Sequence, residues 1–472
     1  MVIAATTSGR AAPKLASIVA HRIEDEIVAA DWPIGRVIGS EAELMQRFGI
    51  SRAILREAVR IVEHDGAAVM RRGPGGGLVV ARPDPTAVAW AAAIWFGYMG
   101  VTIGELFDAR TPLLMQAVRL ASERIDEFGV ARLRGLLIEL ESRDVLESTD
   151  YSDIEQLIAE IAENPAIELF LAVINEVLLR LVRGSRAFVD PVGPEDNRRH
   201  LQAYADLIDA VVRGNAGQAE FRVEAIWRAA KRRLHDRSVR PRRRPSTLPA
   251  GHGKLAERVA AAIQDEIERA GWPVGQLIGN EPELVNRFGV SRAIFREAIR
   301  ILEHHNAVRT KRGPGGGVVV DEPDGGSVER AAELVLKFQG VTLEQLLEAR
   351  AALEIAAVQL AAERCTAETA DDLRAALAAE GQDSDVDSFH EVHRHLAAAS
   401  GSRPVQLFVD VLADVTSSYV PPRELTDQEN EQIWEDVRRA HAMTVEAVIA
   451  GDVPLAQRRM IRHLEATFAW LR

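Results

Sequence analysis

Apolar residues recur at helical spacing along "KLASIVAHRIEDEIVAA", from Lys14 to Ala30, and predict a first helix. "SEAELMQRF" opens on a capping serine followed by early acids, so a second helix starts at Ser40 and breaks at Gly49. Ser51 caps a third helix, from Arg52 to about Asp65. Its buried side is Ile54, Leu55, Ala58, Val59 and Val62, and Gly66 follows as a natural terminator. "AAVMRR" and "GLVV" then read as two short strands around a glycine-rich turn. From about residue 83 the pattern is helical, with no strand signal of any length.

The whole pattern is written twice. "FGISRAILREAVRIVEHDGAAVMRRGPGGGLVV" (48–80) and "FGVSRAIFREAIRILEHHNAVRTKRGPGGGVVV" (288–320) match at 22 of 33 positions at a fixed offset of 240. Trp32-Pro33 pairs with Trp272-Pro273, and "VTIGELFDAR" at 101–110 with "VTLEQLLEAR" at 341–350. Two copies at this period mean two multi-element halves, not a solenoid. Helix, turn, capped helix and hairpin describe a winged helix-turn-helix. The fold class expected is therefore mainly α, with two winged helix-turn-helix domains and two helical bundles. The expected bounds are 1–82 and 254–322 for the winged helices and 83–236 and 323–472 for the bundles. An arginine- and proline-rich linker, 237–253, separates the halves.

Composition narrows the function. The net charge of −13 looks wrong for a nucleic-acid binder. Both winged-helix segments, however, carry more base than acid, so the acid lies in the bundles. One cysteine, Cys365, excludes an internal disulfide framework and a cysteine zinc cluster, and fits the cytoplasm. No signal peptide is visible. Residues 85–104 carry no charge, yet the matching "SVERAAELVLKFQG" has four charged residues, so a buried or partner-facing helix is expected, not a membrane span.

A recognition helix puts its first residues against base edges in the major groove. Here those are Ser51, Arg52 and, one turn on, Arg56; Ser291, Arg292 and Arg296 repeat them. Arginine grips guanine or phosphate with two donors. The hairpin brings Arg71 and Arg72, then Lys311 and Arg312, beside glycine turns that let backbone approach DNA closely. A solvated arginine face would account for one copy, but not for persistence of the same exposed-type residues while Leu55 becomes Phe295 and Asp65 becomes His305.

"FGISRAILREAVRIVE…RRGPGGGLVV" resembles the DNA-binding domain of GntR-type transcription regulators, and the helical remainder resembles their FadR-type (FCD) effector bundle. The resemblance implies that Ser51, Arg52, Arg56, Ser291, Arg292 and Arg296 touch an operator. It places Gly75, Gly76, Gly315 and Gly316 of the wings by the minor groove. One departure is Ala42 and Pro282, where the family often has arginine.

FCD domains often bind a metal through one Asp and three His, together with a small carboxylate. "VHRHLAAASGS", "RAHAMTVEAVIAGD" and "RRMIRHL" resemble the family's ligand segments, implying His393, His441 and His463 as ligands for one divalent Zn, Ni or Mn ion. Where the family's Asp is expected stands Phe389, leaving His390, Asp387 or Asp385 as substitutes. Arg350 and Glu354 resemble the effector-facing "R..lE" helix. The first copy has Glu155, Tyr204 and Ile226 in place of the three histidines, so no such metal is expected there.

These readings converge on a transcription regulator, not an enzyme, built as a covalent pseudo-dimer with double-stranded DNA and a small-molecule effector as partners. Further pairing of two chains stays open. A metal-dependent enzyme leaves the duplicated winged helix unexplained. An architectural DNA binder leaves the histidines unexplained.

Overall fold

In the computed structural model, the description covers residues 15–471, apart from 72, 74, 84, 144–147, 184–193, 237–254, 312, 314, 324, 381–385 and 420–426. Arg72, Arg312, Asp385 and the linker 237–253 lie outside the described residues. The architecture is mainly α, as expected, with two small sheets.

The first winged helix runs α1 (Leu15–Ala29), β1 (Val37–Gly39), α2 (Glu41–Phe48), α3 (Arg52–His64), β2 (Ala68–Arg71) and β3 (Gly77–Val80). Ser40 and Glu43 close a reciprocal capping box at the start of α2, which satisfies two backbone donors there. Gly49 ends α2 in the left-handed region, φ 63°, turning the chain into α3. The pattern predicted two strands, and there are three. β1 pairs antiparallel with β3, giving the order β1-β3-β2. A three-residue strand is too short to show alternation, which is why the sequence hid it. Gly77 makes the pairing possible: with φ 155°, a Cβ there would lie 2.6 Å from the Gly39 carbonyl oxygen.

The bundle of the first half comprises α4 (Pro85–Tyr98), α5 (Ile103–Arg124), α6 (Glu127–Glu141), α7 (Ser148–Ile161), α8 (Pro165–Arg183), α9 (Pro194–Val212) and α10 (Ala216–Asp236). The second winged helix repeats the first as α11 (Leu255–Arg269), β4 (Leu277–Gly279), α12 (Glu281–Phe288), α13 (Arg292–His304), β5 (Val308–Lys311) and β6 (Gly317–Val320). Its bundle is α14 (Gly325–Phe338), α15 (Leu343–Arg364), α16 (Ala367–Ala379), α17 (Val386–Ala399), α18 (Arg403–Tyr419), α19 (Asp427–Ile449) and α20 (Val453–Leu471).

The two bundles pack on each other through contacts that repeat under exchange of the copies. Arg124 pairs with Glu348, and Arg364 donates to Asp108 Oδ2 at 2.6 Å. Asn164 Nδ2 donates to the Gln345 carbonyl at 2.8 Å, and Ser402 Oγ to the Glu105 carbonyl at 3.2 Å. Phe170 of α8 stacks on Phe408 of α18, ring centroids 4.3 Å apart. This is the self-complementary geometry of a two-fold interface, made within one chain.

The winged helices are exchanged across that interface. Leu334 and Phe338 of α14 join the core of the first winged helix. Trp90, Ile94 and Tyr98 of α4 join the core of the second. Helix α4 also buries Val88, Ala92 and Phe96 in the bundle core, so both its faces are covered. That accounts for its lack of charge. Among the described residues, no helix is long and apolar enough to cross a membrane.

Candidate functional site

Ser51 and Ser291 are each the N-cap of their helix: their hydroxyls accept from Ile54 N at 3.4 Å and Ile294 N at 3.3 Å. Leu55 and Phe295 are buried behind them, while Arg52, Arg56, Arg292 and Arg296 stand exposed. The first turn of the preceding helix supplies an acid in each copy, and it takes a different arginine. Glu41 grips Arg52 with two bonds of 2.8 and 3.0 Å; Glu281 takes Arg296 Nε at 3.0 Å. The Arg52 hydrogen bond lowers the Glu41 carboxyl below its ordinary value. Such exposed pairs contribute little to stability and leave the arginines able to change partner. Arg71, Lys311, Gly75 and Gly315 are exposed at the hairpin tips, with Gly76 and Gly316 half-buried beside them. Each head thus presents a capped helix end and a wing to solvent, far from the histidines in sequence.

In the second bundle, α17, α19 and α20 bring His393, His441 and His463 together. Their three Nε2 atoms lie 3.1 Å from one another, and all three rings are buried. Two carboxylates hold the far sides of the rings. His441 Nδ1 lies 2.5 Å from Glu380 Oε1, and His393 Nδ1 lies 2.6 Å from Glu354 Oε2, the latter a close contact rather than a straight hydrogen bond. A carboxylate at Nδ1 keeps the proton there and leaves the Nε2 lone pair free. Three lone pairs aimed at one point repel unless a cation sits among them. Burial lowers the His441 value, and burial with the neighbouring imidazoles holds His463 well below the usual range, so these rings are neutral as ligands must be. The donor set fits a borderline divalent transition ion.

Sequence reasoning missed Glu380. It ends α16 more than ten residues before His393, and no local motif ties it to His441. Among the described residues, the metal-type cluster contains His393, His441 and His463 and does not extend to His390. The side chains of Phe389 and Asp387 lie outside the described set.

A cavity of about 570 Å³ opens over the cluster, lined by α15, α17, α18, α19 and α20. Arg350 lines its floor, buried at 3% exposure, with Nε donating to Glu354 Oε1 at 2.8 Å. Glu354 is not part of the wall. Burial alone would raise its carboxyl, but Arg350 and His393 together hold it well below the usual range. It is a fixed counter-ion between an arginine and a histidine.

The first bundle fills the matching place with its own side chains. Arg110, the counterpart of Arg350, is ion-paired with Glu155, and the Tyr204 hydroxyl donates to Glu155 Oε1 at 2.6 Å. The Arg110 guanidinium also lies 4.4 Å over the Trp227 ring. Leu114 stands where the second half has Glu354. In both halves the buried arginine has a carboxylate partner, Glu155 in the first and Glu354 in the second.

Comparison with known families agrees with this architecture. The family model described as "FCD domain" matches residues 105–229 and 345–466, more than half of the chain. "Bacterial regulatory proteins, gntR family" matches residues 15–79 and 255–320. The chain is a GntR-family transcription regulator of the FCD type, with both domains present twice. Among its relatives, the uncharacterized HTH-type transcriptional regulator Rv0494 of Mycobacterium tuberculosis is 35% identical over 130 residues, 27% of this chain and 53% of that protein. The chain thus spans about half the length of that relative. The putative L-lactate dehydrogenase operon regulatory protein of Escherichia coli is 26% identical, covering 45% of this chain and 84% of the relative. LutR of Bacillus subtilis is 29% identical, covering 40% and 89%. A solved structure, Streptococcus agalactiae GntR, is 21% identical and covers 45% of this chain and 98% of its own, with a TM-score of 0.36. These relatives are regulators, not enzymes. Each of these matches covers less than half of this chain.

Proposed function

We propose that this GntR-family regulator reads an operator as a covalent pseudo-dimer in the cytoplasm, under control of a small carboxylate effector and a divalent metal held in its C-terminal half. The observation that carries the reading is the exchange-symmetric packing of the halves: Arg124–Glu348 answered by Arg364–Asp108. That symmetry gives one chain the two related heads that a regulator dimer otherwise assembles from two, and covalent linkage makes the second half-site engagement intramolecular. The domain bounds stay those expected from the sequence, 1–82, 83–236, 254–322 and 323–472, with 237–253 as the tether.

On this reading Ser51, Arg52, Arg56 and Arg71, with Ser291, Arg292, Arg296 and Lys311, contact DNA, the arginines exchanging Glu41 and Glu281 for phosphate or base edges. The wing glycines let the hairpin backbone approach the minor groove. His393, His441 and His463 hold one Zn, Ni or Mn ion, which supplies Lewis-acid anchorage for an effector oxygen. Arg350 meets the effector's carboxylate. Helix α14 packs on α18 in the wall of the sensing bundle and also carries the first head, so occupancy of the cavity has a packed route to DNA.

The test is a pair of measurements on the full chain. Binding to an operator fragment recovered by pull-down should weaken steeply with salt and vanish in Arg52→Ala/Arg292→Ala. Specific binding retained by that double variant overturns the assignment of the heads. Metal analysis should find about one ion per chain, lost in His441→Ala; an ion-free native protein removes the metal from the proposal.

A further inference from the structure

His390 is the residue in the C-terminal cavity that the metal cluster does not use. It is buried at 7% exposure and lines the cavity wall. Its Nδ1 lies 3.3 Å from Arg350 Nη2. A guanidinium only donates, so Nδ1 accepts and the ring proton sits on Nε2. That N–H is buried and meets no acceptor among the described residues. A buried donor without an acceptor is rare and costly, and in a cavity wall it marks where a ligand oxygen belongs. It offers one donor to an oxyanion in the cavity, on the side of the ring that faces away from the Arg350 guanidinium.

Helix α20 lines the cavity with Arg458, Arg459 and Arg462. Arg459 is committed to structure, donating to the Met443 carbonyl of α19. Arg458 and Arg462, one turn apart on one face, are exposed. Asp436 is the one acid among the described lining residues, against four arginines. The space, about 570 Å³, is in the range that takes ligands well beyond a three-carbon acid.

We infer that the effector is an organic acid with an anionic group at each end. One end sits on His390 Nε2–H, and the other on Arg458 and Arg462. The inference rests on the reading of this cavity as an effector site. The shared chemistry is that of two separated oxyanions, either two carboxylates or a carboxylate and a phosphate, since arginine pairs suit both.

The test is calorimetric titration of the metal-loaded full chain with glutarate, phosphoglycerate and butanoate. Both dianions should bind about tenfold or more tighter than butanoate. Stronger glutarate binding identifies a dicarboxylate, and stronger phosphoglycerate binding a phosphorylated acid. Arg458→Gln/Arg462→Gln should erase the preference, bringing glutarate and phosphoglycerate down to the affinity of butanoate. His390→Phe should weaken all three, and His390→Gln, which keeps a side-chain N–H, should recover part of the loss. Butanoate binding as tightly as the dianions, or a preference that survives the arginine substitutions, overturns the inference while the effector site stands. Absence of binding by all three acids overturns both.

Discussion

The indole of Trp32 meets the ring of Phe338 edge-on, centroids 5.5 Å apart, so the first winged helix rests on the helix that opens the second bundle. Trp272 and Tyr98 repeat the contact for the other head at 5.7 Å. Each head is therefore tied to the bundle of the opposite copy. Aromatic pairs of this kind contribute about 0.5–1.5 kcal/mol beyond the area they bury. Phe338→Ala should accordingly loosen one head alone. Hydrogen exchange should quicken in residues 15–80 and stay unchanged in 255–320. Equal acceleration in both heads would show that the exchange of heads is not what holds them.

A second prediction concerns Glu24, which is buried at 6% exposure in the same head. Burial and the neighbouring Asp65 push its carboxyl up to about 9, against an ordinary 4.5. Its folded value lies above its unfolded one, so the native chain holds an extra proton between those limits. The stability this confers is complete below about pH 4.5 and is lost as pH rises toward 9. The second copy has Gln264 at this position, donating to Glu268 at 2.8 Å. Glu24→Gln should therefore stabilise the first head at pH 8, by about 1–3 kcal/mol for relief of a poorly paired buried group. The melting temperature of this variant should also lose its decline between pH 6 and 9. A decline as steep as the parent's would mean that another group sets it.

The winged helices were largely legible in the sequence, because caps, glycine stops and a buried stripe are local signals: Ser51, Gly49 and Leu55 each sit within a few residues of what they determine. The strand β1 was not, because Val37–Gly39 is a strand only by virtue of Gly77, far along the chain. The histidines were found through a resemblance, and the structure adds that they converge. Glu380 and His390 were illegible for a common reason. Their roles depend on which helix ends face one another across the bundle, and no spacing along the chain encodes that. The exchange of heads was hidden likewise, although the uncharged face of α4 already demanded a partner.

The third prediction is drawn from the first bundle. Arg110 and Glu155 are buried together, with Tyr204 donating to the same carboxylate. Burial and Glu155 hold the Tyr204 hydroxyl well above its ordinary value, so it stays a donor at any working pH. Removing one charge strands the other. Glu155→Leu should cost about 3–5 kcal/mol, whereas Arg110→Leu/Glu155→Leu together should cost far less. Denaturant melts of the two variants decide this. A double variant as unstable as the single would mean that the pair contributes through packing and not through charge.

The last prediction joins pH to the histidine cluster. Burial lowers the His441 imidazole and, with its neighbours, holds His463 well below the usual range. In the unfolded chain both titrate near about 6.5. Their folded values are depressed, so they cost nothing above that pH. Below it the unfolded state gains protons that the native state refuses. Chelated protein should thus lose stability as pH falls below about 6.5, down to the lowered folded values. A bound ion stabilises the native state further, since it binds the assembled three-histidine site and not the open chain. Melting temperatures measured from pH 8 to pH 5, with and without chelator, should show two separated curves, the chelated one bending down first. His441→Gln should collapse them onto one line, because two imidazoles no longer close the site. Curves that coincide for the parent protein at every pH would leave three buried imidazoles facing one another with no ion between them, and the metal reading would fall.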